Sequence, residues 1–175
     1  MARVVLIILA AAALLVLLGT ADESSKTDPV GYAPVQPIAY SHKSHLALGM
    51  KCSGCHSMKD AEADEGFTMG FPEEAYCMSC HSSIKKDSPE IAKLSRAAAD
   101  KKPVEWKRVY RLMPIVWFSH SVHVEESKIE CRTCHGDVAL MSVTSKARVL
   151  NMKDCMDCHA ERSAPNGCDT CHTTR

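Results

Sequence analysis

An unbroken apolar run, Val4 to Leu18, opens the chain behind Arg3 and gives way through Gly19, Thr20 and Ala21 to acidic and polar residues. A short basic start, an apolar stretch and small residues after it predict a secretory signal peptide over 1–21, cut after Ala21. The other reading of the same segment is an uncleaved N-terminal membrane anchor, although fifteen apolar residues fall short of the roughly twenty of a span. Either way the rest of the chain is expected in the periplasm or on the outer face of the plasma membrane. Residues 22–39 are polar, with Pro29, Pro34 and Pro37, and predict an extended linker. Beyond the linker only one segment has a helical apolar stripe. Ser88, Pro89 and Glu90 read as N-cap, N1 proline and first-turn acid, and Ile91, Leu94 and Ala98 share one face. That helix should reach about Lys101 and break before Pro103, and we read it as a plain spacer. Asp60–Gly70 is acidic and glycine-bearing and predicts a surface loop, whereas Val104–Trp117 is aromatic and β-branched and predicts an extended stretch. Little sheet is expected.

The rest of the pattern belongs to the cysteines. All ten fall into five C-x-x-C-H units: Cys52, Cys55 and His56; Cys77, Cys80 and His81; Cys131, Cys134 and His135; Cys155, Cys158 and His159; Cys168, Cys171 and His172. A lone C-x-x-C often means zinc, and cysteine density alone suggests disulfides in an exported chain. Neither chemistry requires a histidine directly after every pair. Two thiols three apart on one helical turn can each add to a haem vinyl group, and the next residue then offers its imidazole to the iron. Five haems c are therefore expected, with the ten cysteines as attachment points and His56, His81, His135, His159 and His172 as proximal ligands.

That expectation changes the reading of the composition. The chain has 175 residues and only three Phe, and the leader inflates its apolar fraction. A conventional core is not available, and small folds of this kind need covalent or metal staples. The fold class expected is a multihaem cytochrome c of short helices and loops wrapped around the haems. The formal net charge of zero suggests no nucleic-acid partner. Trp106 and Trp117 are read as packing on haem edges rather than as electron relays.

The remaining four of the nine histidines are His42, His45, His120 and His123. They form two H-x-x-H pairs, each preceded by an aromatic and a serine and followed by a C-x-x-C-H unit. This is a degenerate internal repeat: a two-haem unit over 40–103 and a three-haem unit over 104–175. A pair at i, i+3 lies on one helix face, and the four imidazoles are candidate distal ligands, each pair serving two haems. Ten axial positions against nine imidazoles leave one haem to take a non-histidine ligand or stay open. Methionine is the usual substitute, and Met141, Met152 and Met156 are the candidates; Met156 is poorly placed inside a C-x-x-C-H unit.

Val116–Arg175 resembles the small trihaem class III cytochromes, in which an aromatic-x-His-x-x-His precedes the first motif. The resemblance implies that His120 ligates the Cys131/Cys134 haem and His123 the Cys155/Cys158 haem. That family has a histidine before the second motif where this chain has Met152, within Asn151-Met152-Lys153-Asp154-Cys155. Met152 is therefore the expected partner of His172. The whole mature chain is similar to the pentahaem cytochrome subunit of alternative complex III, through Gln36–Lys43, Trp106–Leu112 and Cys134-His135-Gly136-Asp137-Val138. This resemblance implies a quinol-oxidising membrane complex. Its partners would be iron–sulfur or molybdopterin-like subunits, quinone-binding integral membrane subunits and a soluble periplasmic electron acceptor. A freestanding periplasmic shuttle and an extracellular cytochrome filament are the alternatives. An enzyme needs an open iron position with acid–base groups beside it, and ten candidate ligands for ten positions argue against one.

Overall fold

The computed structural model describes residues 28–57 and 69–172. The leader and most of the Asp60–Gly70 segment lie outside the described residues. Seven short α-helices follow in chain order: α1 (His42–Leu46), α2 (Cys52–Cys55), α3 (Glu74–His81), α4 (Pro89–Ala99), α5 (Cys131–His135), α6 (Met152–Glu161) and α7 (Cys168–Cys171). A π-turn, Val122–Glu126, and a 3-10 turn, Val138–Leu140, complete the elements. No strand occurs among the described residues. No helix among them is long and apolar enough to cross a membrane.

Local side-chain caps set two of the helix starts. Ser41 caps α1 by accepting a 3.2 Å bond from the Ser44 N–H. Asn151 and Asp154 close a reciprocal capping box on α6, with N–H to side-chain bonds of 3.2 and 3.0 Å. Ser88 precedes Pro89 at the start of α4, but its side chain makes no capping bond. Glu90 ties that end instead, accepting the Ala39 N–H at 2.6 Å and the Lys93 ammonium at 2.6 Å. The far end of α4 stops at Ala99, earlier than the expected Lys101. Lys101 turns left-handed (φ 52°), and the Lys101 and Lys102 N–H groups bond back to the carbonyls of Ala98 and Ala97. This backbone closure ends the helix before Pro103 is reached.

α4 is more than the spacer expected from its sequence. It packs on α3, and Ile91, Ala92, Ser95 and Arg96 wall a cleft whose other side is Met78 and His81. Its Leu94 and the linker's Ile38 are the buried apolar residues among those described, at 5 % and 7 % exposure. Residues 104–117 are non-helical throughout, as their composition predicts.

Candidate functional site: four imidazole pairs and a fifth motif

Every C-x-x-C-H unit begins on or within a short helix, which places its two thiols a turn apart. Neighbouring thiols then connect the motifs. Cys77 lies in electrostatic reach of Cys55, Cys131 of Cys52, Cys134 of Cys158 and Cys155 of Cys171. Burial, ahead of these neighbours, holds the Cys77, Cys131, Cys134 and Cys155 thiols above their ordinary range. The thiols are accordingly neutral.

The structure brings each histidine of the H-x-x-H pairs against a motif histidine. Ring centroids stand 6.3 Å apart for His42 and His56, 6.1 Å for His45 and His81, 6.3 Å for His120 and His135, and 6.0 Å for His123 and His159. The near-parallel pairs at 6.3 Å stand wider than a face-to-face stack, and all four separations fit a metal between the rings. Two imidazoles bound on opposite sides of one iron, with metal–nitrogen bonds of about 2 Å, have centroids about 6 Å apart. The first and third pairs are nearly coplanar, at 19° and 13°, whereas the second and fourth are tilted by 59° and 42°.

The outward nitrogens make the same case. A backbone carbonyl only accepts, so an Nδ1 bonded to one carries the proton and leaves the Nε2 lone pair for a metal. His45 and His123 Nδ1 donate to the carbonyls of Ser41 and Ser119 at 2.8 and 2.7 Å. His56, His81, His159 and His172 donate to Gly70, Ile84, Pro165 and Ile115 at 2.9, 3.0, 2.6 and 3.2 Å. His42 Nδ1 meets the Thr144 hydroxyl at 2.8 Å, a contact spanning 102 residues of chain. Burial, with His56 and His45 adding to it, pushes His42 down to about 4. Burial likewise holds His135 below its ordinary value, helped by His120 and His56. Both imidazoles are therefore neutral near pH 7, as a ligand must be. The donor set fits haem iron at four positions.

The repeat is geometric as well as sequential. Tyr40 meets His42 edge-on at 4.9 Å and stacks on His45 at 4.4 Å. Phe118 meets His120 edge-on at 4.9 Å and stacks on His123 at 4.4 Å. One aromatic wedge thus fixes both rings of a pair. The two halves differ in backbone, because His123 sits in the π-turn rather than on an α-helix like His45. The wedge compensates, since its ring contacts keep the same distances in both halves. The motif spells out the aromatic, but its role emerges only from the ring geometry. Trp106 packs edge-on against Tyr40 at 6.3 Å and tilted against Phe71 at 6.4 Å.

The four pairs use eight histidines, so none remains for His172. Its motif is held by the segment before Phe118: the Trp117 N–H donates to the Cys171 carbonyl at 2.7 Å. Met152 is the first residue of α6, with its side chain 67 % exposed. Met141 lies elsewhere, its carbonyl accepting the Lys43 N–H of α1 at 3.0 Å. Met156 stands inside its motif, and its carbonyl takes the Asn166 side-chain amide at 2.9 Å.

The chain resembles known proteins over most of its length. The chain is 31 % identical over 166 residues to the menaquinone reductase multihaem cytochrome c subunit of Nitratidesulfovibrio vulgaris, a match covering 78 % of this chain and 76 % of that protein. It is 33 % identical over 70 residues to cytochrome c3 of Desulfovibrio desulfuricans, across 29 % of this chain and 69 % of the relative. The sequence profile of cytochrome c7 and related cytochrome c matches twice, over residues 38–101 and 116–173. Those two stretches each hold one aromatic wedge, one histidine pair and the motifs it faces. The chain therefore belongs to the family of cytochrome c7 and related cytochrome c, whose members are multihaem c-type electron carriers.

Proposed function

We propose that this chain is the electron-transfer subunit of a membrane quinone oxidoreductase, working with five haems c on the periplasmic side. When bound, each haem takes up and releases one electron at its iron. The chain's own residues attach, ligate and order these centres. His42, His45, His120 and His123 serve as distal ligands to the haems of His56, His81, His135 and His159. The observation supporting this most directly is the set of four ring separations between 6.0 and 6.3 Å. The electrostatic proximity of thiols from different motifs suggests a linear order of attachment sites. The Cys77/Cys80 site comes first, then the Cys52/Cys55, Cys131/Cys134, Cys155/Cys158 and Cys168/Cys171 sites. A wire of this order has one end in each sequence half. The leader and the external chemistry of covalent haem attachment support the periplasmic location.

The parent complex is inferred from likeness. The relative in Nitratidesulfovibrio is named as a subunit of a menaquinone reductase, and the resemblance to the alternative complex III subunit points to quinol oxidation. Both names turn on a quinone, so we place this chain beside quinone-binding integral and iron–sulfur subunits. A soluble periplasmic carrier would take the electrons in a quinol-oxidising complex. Isolation from native membranes should yield a complex containing a quinone-binding integral subunit, and added quinol should reduce its haems. Release as a soluble monomer that quinol does not reduce would overturn the assignment. Intact-mass measurement should show five haem additions, and fewer than four in native material would refute the motif reading.

The ring tilts supply a separate prediction. Parallel imidazole planes split the iron orbitals rhombically, whereas tilted planes bring the iron nearer to axial symmetry and raise its largest g value. The ferric protein should show two rhombic low-spin EPR species from the His42/His56 and His120/His135 centres. The His45/His81 and His123/His159 centres should give higher g maxima. A single uniform low-spin signal would contradict the geometry.

A further inference from the structure

Lys146 is a buried cation that nothing in haem attachment accounts for. It is 6 % exposed. Its ammonium lies over two tyrosine rings, 6.0 Å from the centre of Tyr32 and 5.6 Å from that of Tyr110. The carboxylate beside it is Asp28, whose Oδ2 is 3.9 Å away, beyond hydrogen-bond length. A buried charge with so loose a counter-ion is costly unless something else uses its field.

The surroundings show what lies within that field. Tyr110 meets the His135 ring edge-on at 4.6 Å, so the ring that faces the lysine also touches the Cys131/Cys134 motif. Its hydroxyl accepts the Ala147 N–H at 2.8 Å. The stretch of chain bearing the lysine is clamped on both sides. Lys146 N–H donates to the Tyr32 carbonyl at 2.8 Å, and its own carbonyl accepts the Gly31 N–H at 2.8 Å. Arg148 donates to the Thr133 carbonyl inside α5 at 3.1 Å. Gly136, at φ 69°, lets Ala147 approach so closely that an added Cβ would stand 2.6 Å from the Ala147 Cβ. The lysine's backbone is thus fixed, and its buried ammonium stands two ring contacts from a motif histidine.

His135 also differs from the other motif histidines. Those four donate Nδ1–H to a carbonyl, which strengthens an imidazole as a donor to iron. Among the described residues His135 Nδ1 makes no such bond, and the Tyr110 ring packs against its imidazole instead. A less basic ligand and a nearby cation act in the same direction. Both favour ferrous over ferric iron, because the reduced centre carries one positive charge fewer.

We propose that Lys146, held behind Tyr110, is an electrostatic tuning residue that raises the potential of the haem at Cys131, Cys134 and His135. This rests on the haem assignment above. In the linear order of sites this is the middle centre, so its potential sets where an electron rests between the two halves. At an effective dielectric of about 20, a unit charge at this range alters the reduced-to-oxidised ratio at fixed potential by roughly threefold to tenfold.

The test is a spectroelectrochemical titration of the intact holoprotein, with the middle haem followed through the resonances of the His135 ring, which meets Tyr110 edge-on. Lys146→Met should lower the ratio for that haem by roughly threefold to tenfold and leave the other four in place. Lys146→Arg keeps the charge and should restore it. Asp28→Asn removes the opposing carboxylate and should shift the same haem upward, and it decides the matter if Lys146→Met does not accumulate. Unchanged potentials in folded variants that retain every haem addition would overturn the tuning role, as would a shift confined to another haem. Missing haem additions in the parent protein would instead overturn the haem assignment.

Discussion

Expressed without covalent haem attachment, the chain should be unfolded, with a coil-like far-UV spectrum and no protected amides. Ordering each residue's backbone costs about 1–2 kcal/mol, and apolar burial normally offsets it. Here Ile38 and Leu94 are the buried apolar residues among those described. Leu112, Met113, Ile115, Leu140 and Val143 are exposed. The helices cannot stand alone either. α2 and α7 have four residues and α1 and α5 have five, whereas isolated helices are marginal below about 12–15 residues. Two thioethers and an iron bridging distant segments supply what the side chains do not. His42 opens α1 and His56 follows α2, while His123 lies in the π-turn and His159 on α6, so an iron held by either proposed pair would pin two elements. Circular dichroism and hydrogen exchange on the haem-free chain check this. A cooperative thermal transition with native helicity in that material would show that the protein fold precedes the haems.

How far the sequence reveals this arrangement depends on the range of each interaction. The attachment motifs and the histidine pairs are legible because their spacing is local. The Cys52–Cys55 turn and the two H-x-x-H segments are each set within a few residues. The pairing of His120 with His135 and of His123 with His159 is what the family likeness implies, and the structure sets those rings 6.3 and 6.0 Å apart. The support around these rings is not legible. Thr144 reaches His42 across 102 residues, and Gln36 bonds both N–H and C=O of Lys107 across 71. No local pattern marks such contacts. The spacer reading of α4 fails for the same reason. Its apolar face is visible in the sequence, but the partner it covers, α3 beside His81, is not adjacent in any periodicity. Nothing local distinguishes Lys146 from a surface lysine, and only the two tyrosines that bury it give it a role.

Met152→His should remove the near-infrared sulfur-to-iron charge-transfer band and lower one haem potential out of five. The shift should be on the order of 0.1 V, within the roughly 0.8 V that axial ligands span. Four imidazole pairs use eight histidines, and His172 is left with its Nδ1 bound to the Ile115 carbonyl at 3.2 Å. Its other nitrogen is available to an iron whose opposite ligand is not a histidine of this chain. Met152 opens α6, fixed there by the Asn151–Asp154 capping box. Cys155 follows one turn later and neighbours Cys171, an attachment point of the His172 haem. Met152 is thus one turn from a thiol in electrostatic reach of that motif, and the residue is not committed to a protein core, at 67 % exposure. Met141 is the weaker rival, because its backbone is bonded to Lys43 of α1, beside the first two haem sites. Thioether donates less strongly to ferric iron than imidazole and so favours the reduced state. In the proposed order the His172 site is a terminus, so a raised potential there makes it the electron sink of the second half. The middle haem, lifted by Lys146, would then be the step below it. Survival of the charge-transfer band in Met152→His would show that Met152 only packs, and would move the ligand assignment to Met141.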